Sequence, residues 1–248
     1  MSIIRVPRAI LVGTLARAIV KTTWALVVIV TTVQSDGATT YDNTPYYQVA
    51  VLNGFGPEST VTNGETFVAP ADPVLQDFTF FLGITPGHLS IQADVFNWSG
   101  PLLFGTGGQA IGNPLFQSPS MIFDSTNQLQ PFTVHTGGTI LTPGNPYVML
   151  LTVSNPSDYA ASSGSVYLGE ETAPEPGDGG GSLHWDHNGN NFSLLTSAPW
   201  TGSLGNIELE FVAHFTAVPE PSTFALAALG AATLYLGRRV GAQRKAPH

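Results

Sequence analysis

Cysteine is absent from the 248 residues. That excludes disulfides, thiol catalysis and cysteine-ligated metals together. A second absence is regional. The eight basic residues are all terminal: Arg5, Arg8, Arg17 and Lys21 at one end, Arg238, Arg239, Arg244 and Lys245 at the other. From Thr22 to Gly237 there is no lysine or arginine, yet all 17 acidic residues lie there. The interior is therefore more anionic than the formal net charge of -9 conveys. Such a surface repels phosphate backbones, which excludes nucleic acid as a partner. It also lacks the guanidinium forks that hold carboxylate or phosphate substrates. No G-x-S-x-G elbow, P-loop or HExxH sequence occurs, so nothing in the chain marks it as an enzyme.

What is present is glycine (27), proline (19) and short β-rich runs. Residues 1–37 read as a signal peptide, a signal helix with basic residues, an apolar run from Trp24 to Val33 and small residues before Gly37-Ala38. Residues 38–217 repeat one theme of short strands separated by turns such as Asn53-Gly54, Asn63-Gly64, Pro86-Gly87 and Asn188-Gly189. Strands are expected at 48–52, 65–68, 77–82, 89–98, 102–104, 121–124, 132–136, 147–154, 166–170, 192–195 and 207–215. In the fourth, Leu89, Ile91, Ala93 and Val95 share a face, with Gln92 and Asp94 opposite. In the last, Ile207, Leu209, Phe211, Ala213 and Phe215 share one, with Glu208, Glu210 and His214 opposite. The expected fold is all-β: an antiparallel sandwich of jelly-roll type, one face of each sheet on the core and the other in water. No helical period is evident in it. The stretch 172–182 reads as a long flexible loop within the domain, with its own Pro-Glu-Pro at 174–176.

The tail is ordered differently. Pro219-Glu220-Pro221 is followed by an apolar run over 224–237 and then by Arg238-Arg239. The prolines fix φ and remove two donors, which keeps the peptide extended for an enzyme's cleft. Fourteen residues of helix span roughly 21 Å against about 30 Å of hydrocarbon, a transmembrane helix too short for lasting anchorage. The arginines hold the end 238–248 in the cytoplasm. Pro219–Pro221, the apolar run and the arginine pair together resemble the PEP-CTERM sorting signal, a tail also labelled as an ice-binding protein C-terminal type domain. No Thr-x-Thr ladder of the kind that would make an ice-matching face accompanies it. The resemblance implies an exosortase as partner, cleavage near Pro219–Pro221, transient residence in the inner membrane and transfer to the cell surface or extracellular matrix. The ectodomain is similar, more loosely, to the uncharacterised β-sandwich domains that precede such tails. That likeness runs through Thr40–Asn43, Leu141–Val148, Phe192–Leu195 with Pro199-Trp200, and Ile207–Phe215.

Four sets of side chains invite chemistry. Trp98, Trp185 and Trp200, with nearby tyrosines, suit a sugar-stacking platform for extracellular polysaccharide; core packing accounts for the same residues. His184, Asp186 and His187 are all metal-ligand types, though a polar hairpin shoulder also explains them. Asp186, Asn188 and Asn190 occupy positions one, three and five of a calcium-type loop, but position six is Asn191 and position twelve Ser197. Glu208 and Glu210, about 7 Å apart along one strand face, are spaced as glycosidase carboxylates can be. The alternation instead assigns them to solvent. The function expected from the whole is a structural or adhesive surface protein, with a carbohydrate-binding module as the alternative.

Overall fold

The strands nest. In a computed structural model describing residues 38–46, 54–102, 108–171, 179–205 and 207–218, with 229, 230 and 233 beyond, every strand pairing is antiparallel. β1 (Ala38–Asp42) lies against β15 (Phe211–Thr216), and β3 (Thr62–Val68) against β9 (Pro146–Thr152). Inside them, β4 (Val74–Gly83) pairs β8 (Gln130–Ile140). Innermost, β5 (His88–Ser99) pairs β6 (Gln109–Gln117) and β7 (Met121–Asp124). First with last, second with second-last, and so inward is the winding of a jelly roll. Two further pairings, β15 with β4 and β9 with β5, join the nested pairs into two sheets. One runs β1-β15-β4-β8, the other β3-β9-β5-β6.

Shorter strands extend these sheets. β10 (Val166–Leu168) pairs the end of β4 and also β2 (Gly54–Phe55). β12 (Leu183–Asp186) adds to β3, and β13 (Gly202–Leu204) to β12. A separate two-stranded ladder joins β11 (Glu170–Glu171) to β14 (Glu208–Leu209). Two short helices interrupt the pattern: α1 (Pro156–Ala161), which proline starts without an N-terminal donor to lose, and α2 (Leu194–Ser197).

The main core lies between the sheets. Leu89, Ile91, Ala93 and Val95 face it from β5, and Phe211, Ala213 and Phe215 from β15, as the alternation requires. With no disulfide available, rings bridge the layers near the ends of the chain. Tyr41 stands 5.0 Å from Phe215 and 6.5 Å from Phe67, which is 5.8 Å from Tyr147. The Tyr41 hydroxyl donates to Val68 O and the Tyr147 hydroxyl accepts from Thr142 N–H, so the phenols keep partners while the rings stay dry. Full burial of each such side chain contributes about 1.5–3 kcal/mol.

The expectation that each sheet wets one face fails for the second sheet. Phe96 and Trp98 of β5 with Val148 and Leu150 of β9 point away from the main core into a second one, closed by Leu195 of α2 and by Trp200. Gln92 and Asp94 are buried on that same side. Asn155, before α1, donates to Gln92 Oε1, and Asp158 of α1 accepts from the Ser90 hydroxyl at 2.7 Å. The covering segments come from after β9 and after β12, and inspection of β5 alone cannot reveal them.

Other differences are local. Residues 192–195, expected as a strand, enter α2. The span 183–186 is a regular strand whose Leu183 faces the core. Part of the stretch read as a flexible loop is held to β3. Val68 N–H donates to Gly179 O, Thr66 N–H to Ser182 O, and a Cβ on Gly181 would stand 1.4 Å from Thr66 O. Residues 1–37, 48–52 and 103–104, with most of the apolar tail run, lie outside the described residues.

Candidate functional site

The three tryptophans do not form a platform. Trp98 is 3% exposed: its indole N–H donates to Pro101 O, and its ring meets Trp200 at 5.2 Å and His184 at 4.6 Å. Trp200 is as deeply buried and donates to Leu195 O. Trp185 belongs to the opposite face of the sheet, half-buried against the main core. Pleat alternation separates Trp185 from the others, and α2 roofs the pair, so no common face is left for a sugar ring.

The calcium-type loop is used by the protein itself. Asp186 Oδ1 accepts from His187 N–H at 2.9 Å and from the Thr201 hydroxyl at 2.8 Å. Asn188 Oδ1 accepts from the Thr62 hydroxyl, and its Nδ2 donates to Asn191 O. Asn190 is exposed on the turn. Its two inner members thus fasten a hairpin, which is what a loop without glycine at position six and glutamate at position twelve would do. His184 is buried beside the Ser182 hydroxyl at 3.2 Å, and burial holds its ring at about 4, well below the usual imidazole range. His187, one residue past β12, is exposed. Among the described residues, no three His, Asp or Glu side chains are already gathered in a metal-holding arrangement.

Glu208 and Glu210 differ from expectation in another way: both are buried. Glu208 faces Glu171 across the β11–β14 ladder, and Asn43 Nδ2 approaches Glu208 Oε2 at 3.5 Å. Alternation told correctly which residues share a face but not that the protein buries it.

The chain leaves the domain at Thr216, the last residue of β15, whose register partner is Ala38. Only Ala217 and Val218 separate it from Pro219. Pro219, Glu220, Pro221, Arg238 and Arg239 lie outside the described residues; farther along, Leu229, Gly230 and Thr233 are helical. Among the described residues no helix is long and apolar enough to cross a membrane, and the expected span 224–237 falls mostly beyond them. The family described as the PEP-CTERM protein-sorting motif matches residues 217–240. The tail is a PEP-CTERM sorting signal. Its match starts one residue past β15, so the PEP-CTERM signal and the folded domain abut without a stalk.

No curated protein sequence matches the chain. Among solved structures, the chain is similar to the cysteine protease and lectin-like domains of Cwp84, a surface layer associated protein of Clostridium difficile, at 11% identity and a TM-score of 0.38. That alignment covers 75% of this chain and 37% of the other, so the chain spans little more than a third of that structure's length. The matched span includes Pro219, Glu220 and Pro221, the apolar run 224–237 and Arg238-Arg239.

Proposed function

We propose that this is an exported surface protein whose tail is cut by an exosortase near Pro219–Pro221. The sandwich then passes to a component of the cell surface or the extracellular matrix and serves there in a structural or adhesive capacity rather than a catalytic one. The observation that carries the reading is the order of the tail: two prolines, a short apolar run and an arginine pair, within one motif match over 217–240. Pro-Glu-Pro alone does not suffice, since 174–176 has the tripeptide without the run or the arginines. The charge distribution supports the same topology. Both basic clusters favour the cytoplasm, while the anionic domain between them is free to leave it. The burial of Trp98 and Trp200 favours a structural role over sugar stacking.

Intact-mass measurement of the surface protein tests the reading. A C-terminus between residues 219 and 222 is expected, and the doubly substituted Pro219→Ala, Pro221→Ala chain should accumulate uncut in the membrane fraction. Surface protein that still carries Arg238-Arg239 would refute the proposal.

A further inference from the structure

The pattern Asn-x-Ser or Asn-x-Thr, the acceptor signature for a glycan on asparagine, occurs at Asn97, Asn155 and Asn191. Pro156 in the middle position disqualifies the second. The structure separates the other two. Asn97 lies within β5, paired with Ile111 of β6 on one side and with Tyr147 of β9 on the other. Its middle residue, Trp98, is buried in the second core. An enzyme could reach that backbone only by dismantling the sheet.

Asn191 differs in each respect. It lies exposed on the turn between β12 and α2, and Ser193 is exposed with it. Phe192 between them packs inward against the second core, 6.5 Å from Phe96. The backbone of Asn191 is held at both polar groups. Its N–H donates to Asn188 O at 3.1 Å, and its carbonyl accepts from Asn188 Nδ2 at 3.1 Å. The side-chain amide is held at its oxygen, where Oδ1 accepts from the Ser193 hydroxyl at 2.7 Å. Nδ2 is then the unengaged end of an exposed side chain among the described residues. Ser193 precedes α2 but makes no side-chain cap bond there, so its hydroxyl serves Asn191 and not the helix.

We propose that Asn191 is a glycosylation site, which takes a glycan on Nδ2 from a glycosyl diphosphate donor. The inference rests on the proposed export, which brings the turn to the membrane where lipid-linked donors reside. In the transfer, Nδ2 attacks the anomeric carbon of the donor. The Nδ2–C1 bond forms as the C1–oxygen bond to the diphosphate breaks. The diphosphate leaves with the electron pair, and the Nδ2 proton passes to a base of the transferase. An amide nitrogen is a weak nucleophile because its lone pair is shared with the carbonyl. Holding the amide in one orientation therefore matters, since the ordering is done before the donor arrives.

The test is peptide mapping of the protein recovered from the surface of its own cells. Glutamyl endopeptidase serves for the digest, because trypsin has no site between Lys21 and Arg238. Electron-transfer fragmentation should place carbohydrate mass on Asn191 and none on Asn97. Ser193→Ala should abolish the modification and Ser193→Thr should retain it. Neither variant removes a cap bond, so both chains should fold. Glycan on the exported chain but not on the cytoplasmic precursor would identify a lipid-linked donor, and glycan on both a nucleotide-linked one. A surface protein with bare Asn191, or one whose carbohydrate survives Ser193→Ala, would overturn the proposal. The C-terminus of the same sample keeps the two readings apart. An end between residues 219 and 222 beside a bare Asn191 would sink this site and leave the sorting reading standing.

Discussion

Replacing Asp94 by asparagine should make the domain more stable at pH 8 and less dependent on pH. Asp94 is completely buried on the outer face of β5. Its two oxygens accept from Gln92 Nε2 at 2.9 and 3.0 Å, and Gln117 donates to it as well. Those bonds favour the charged form, but burial outweighs them, Asp158 adds repulsion, and the carboxyl is pushed up to about 7 from an ordinary 3.8. Folding therefore takes up a proton between those two values, and stability falls as pH rises through that window. Below pH 3.8 the contribution is wholly retained; above about 7 it is wholly lost. A shift of this size corresponds to about 4 kcal/mol at most. An amide, neutral at every pH, removes the slope while keeping an oxygen for Gln92. Urea unfolding midpoints of wild type and Asp94→Asn from pH 4 to 8 measure the difference, in which the other carboxyls cancel. The two curves should diverge by about 2–4 kcal/mol across the range. Parallel curves would show that Asp94 is ionised in the folded protein and that the reasoning from burial is wrong.

Two further expectations concern residues that look alike in sequence and differ in surroundings. Trp98→Ala should cost about 3–5 kcal/mol in urea unfolding, because it empties the centre of the second core without a route to collapse. A loss under 1 kcal/mol would mean that the roof of α2 is loose. On the open face of the first sheet, Asp77 stands 2.6 Å from His214 Nδ1 and 4.0 Å from His135 Nδ1. Those imidazoles are half or more exposed, so Asp77→Asn should change stability by less than about 1 kcal/mol, and less still in 1 M salt. A loss above 2 kcal/mol would reveal a stronger coupling across β8, β4 and β15.

Strands that carry one clean alternation were legible in the sequence. β5 and β15 could be placed from Leu89–Val95 and Phe211–Phe215 because their inner faces are continuous. β6 escaped notice because Gly112 and Pro114 break its pattern, which an edge strand tolerates but a sequence reading takes for a turn. β12 was obscured by His184 and Asp186, polar residues that the segment after it buries. The same blindness governs the carboxylates. Periodicity sorts Gln92, Asp94, Glu208 and Glu210 onto faces, but whether water or protein covers a face depends on segments distant in sequence. The tail was the opposite case, since its information is linear: composition and order specify it without any tertiary contact.

The pairing of Ala38 with Thr216 has a mechanical consequence. β15 is gripped on both sides, by β1 and by β4. Tension applied through Val218 runs along the strand, across two rows of hydrogen bonds that are loaded in shear and must yield almost together. Tension between the two chain ends would instead peel β1 from β15 one bond at a time, beginning at Ala38 and Thr216. A domain pulled through its C-terminus alone thus meets load in its strong direction.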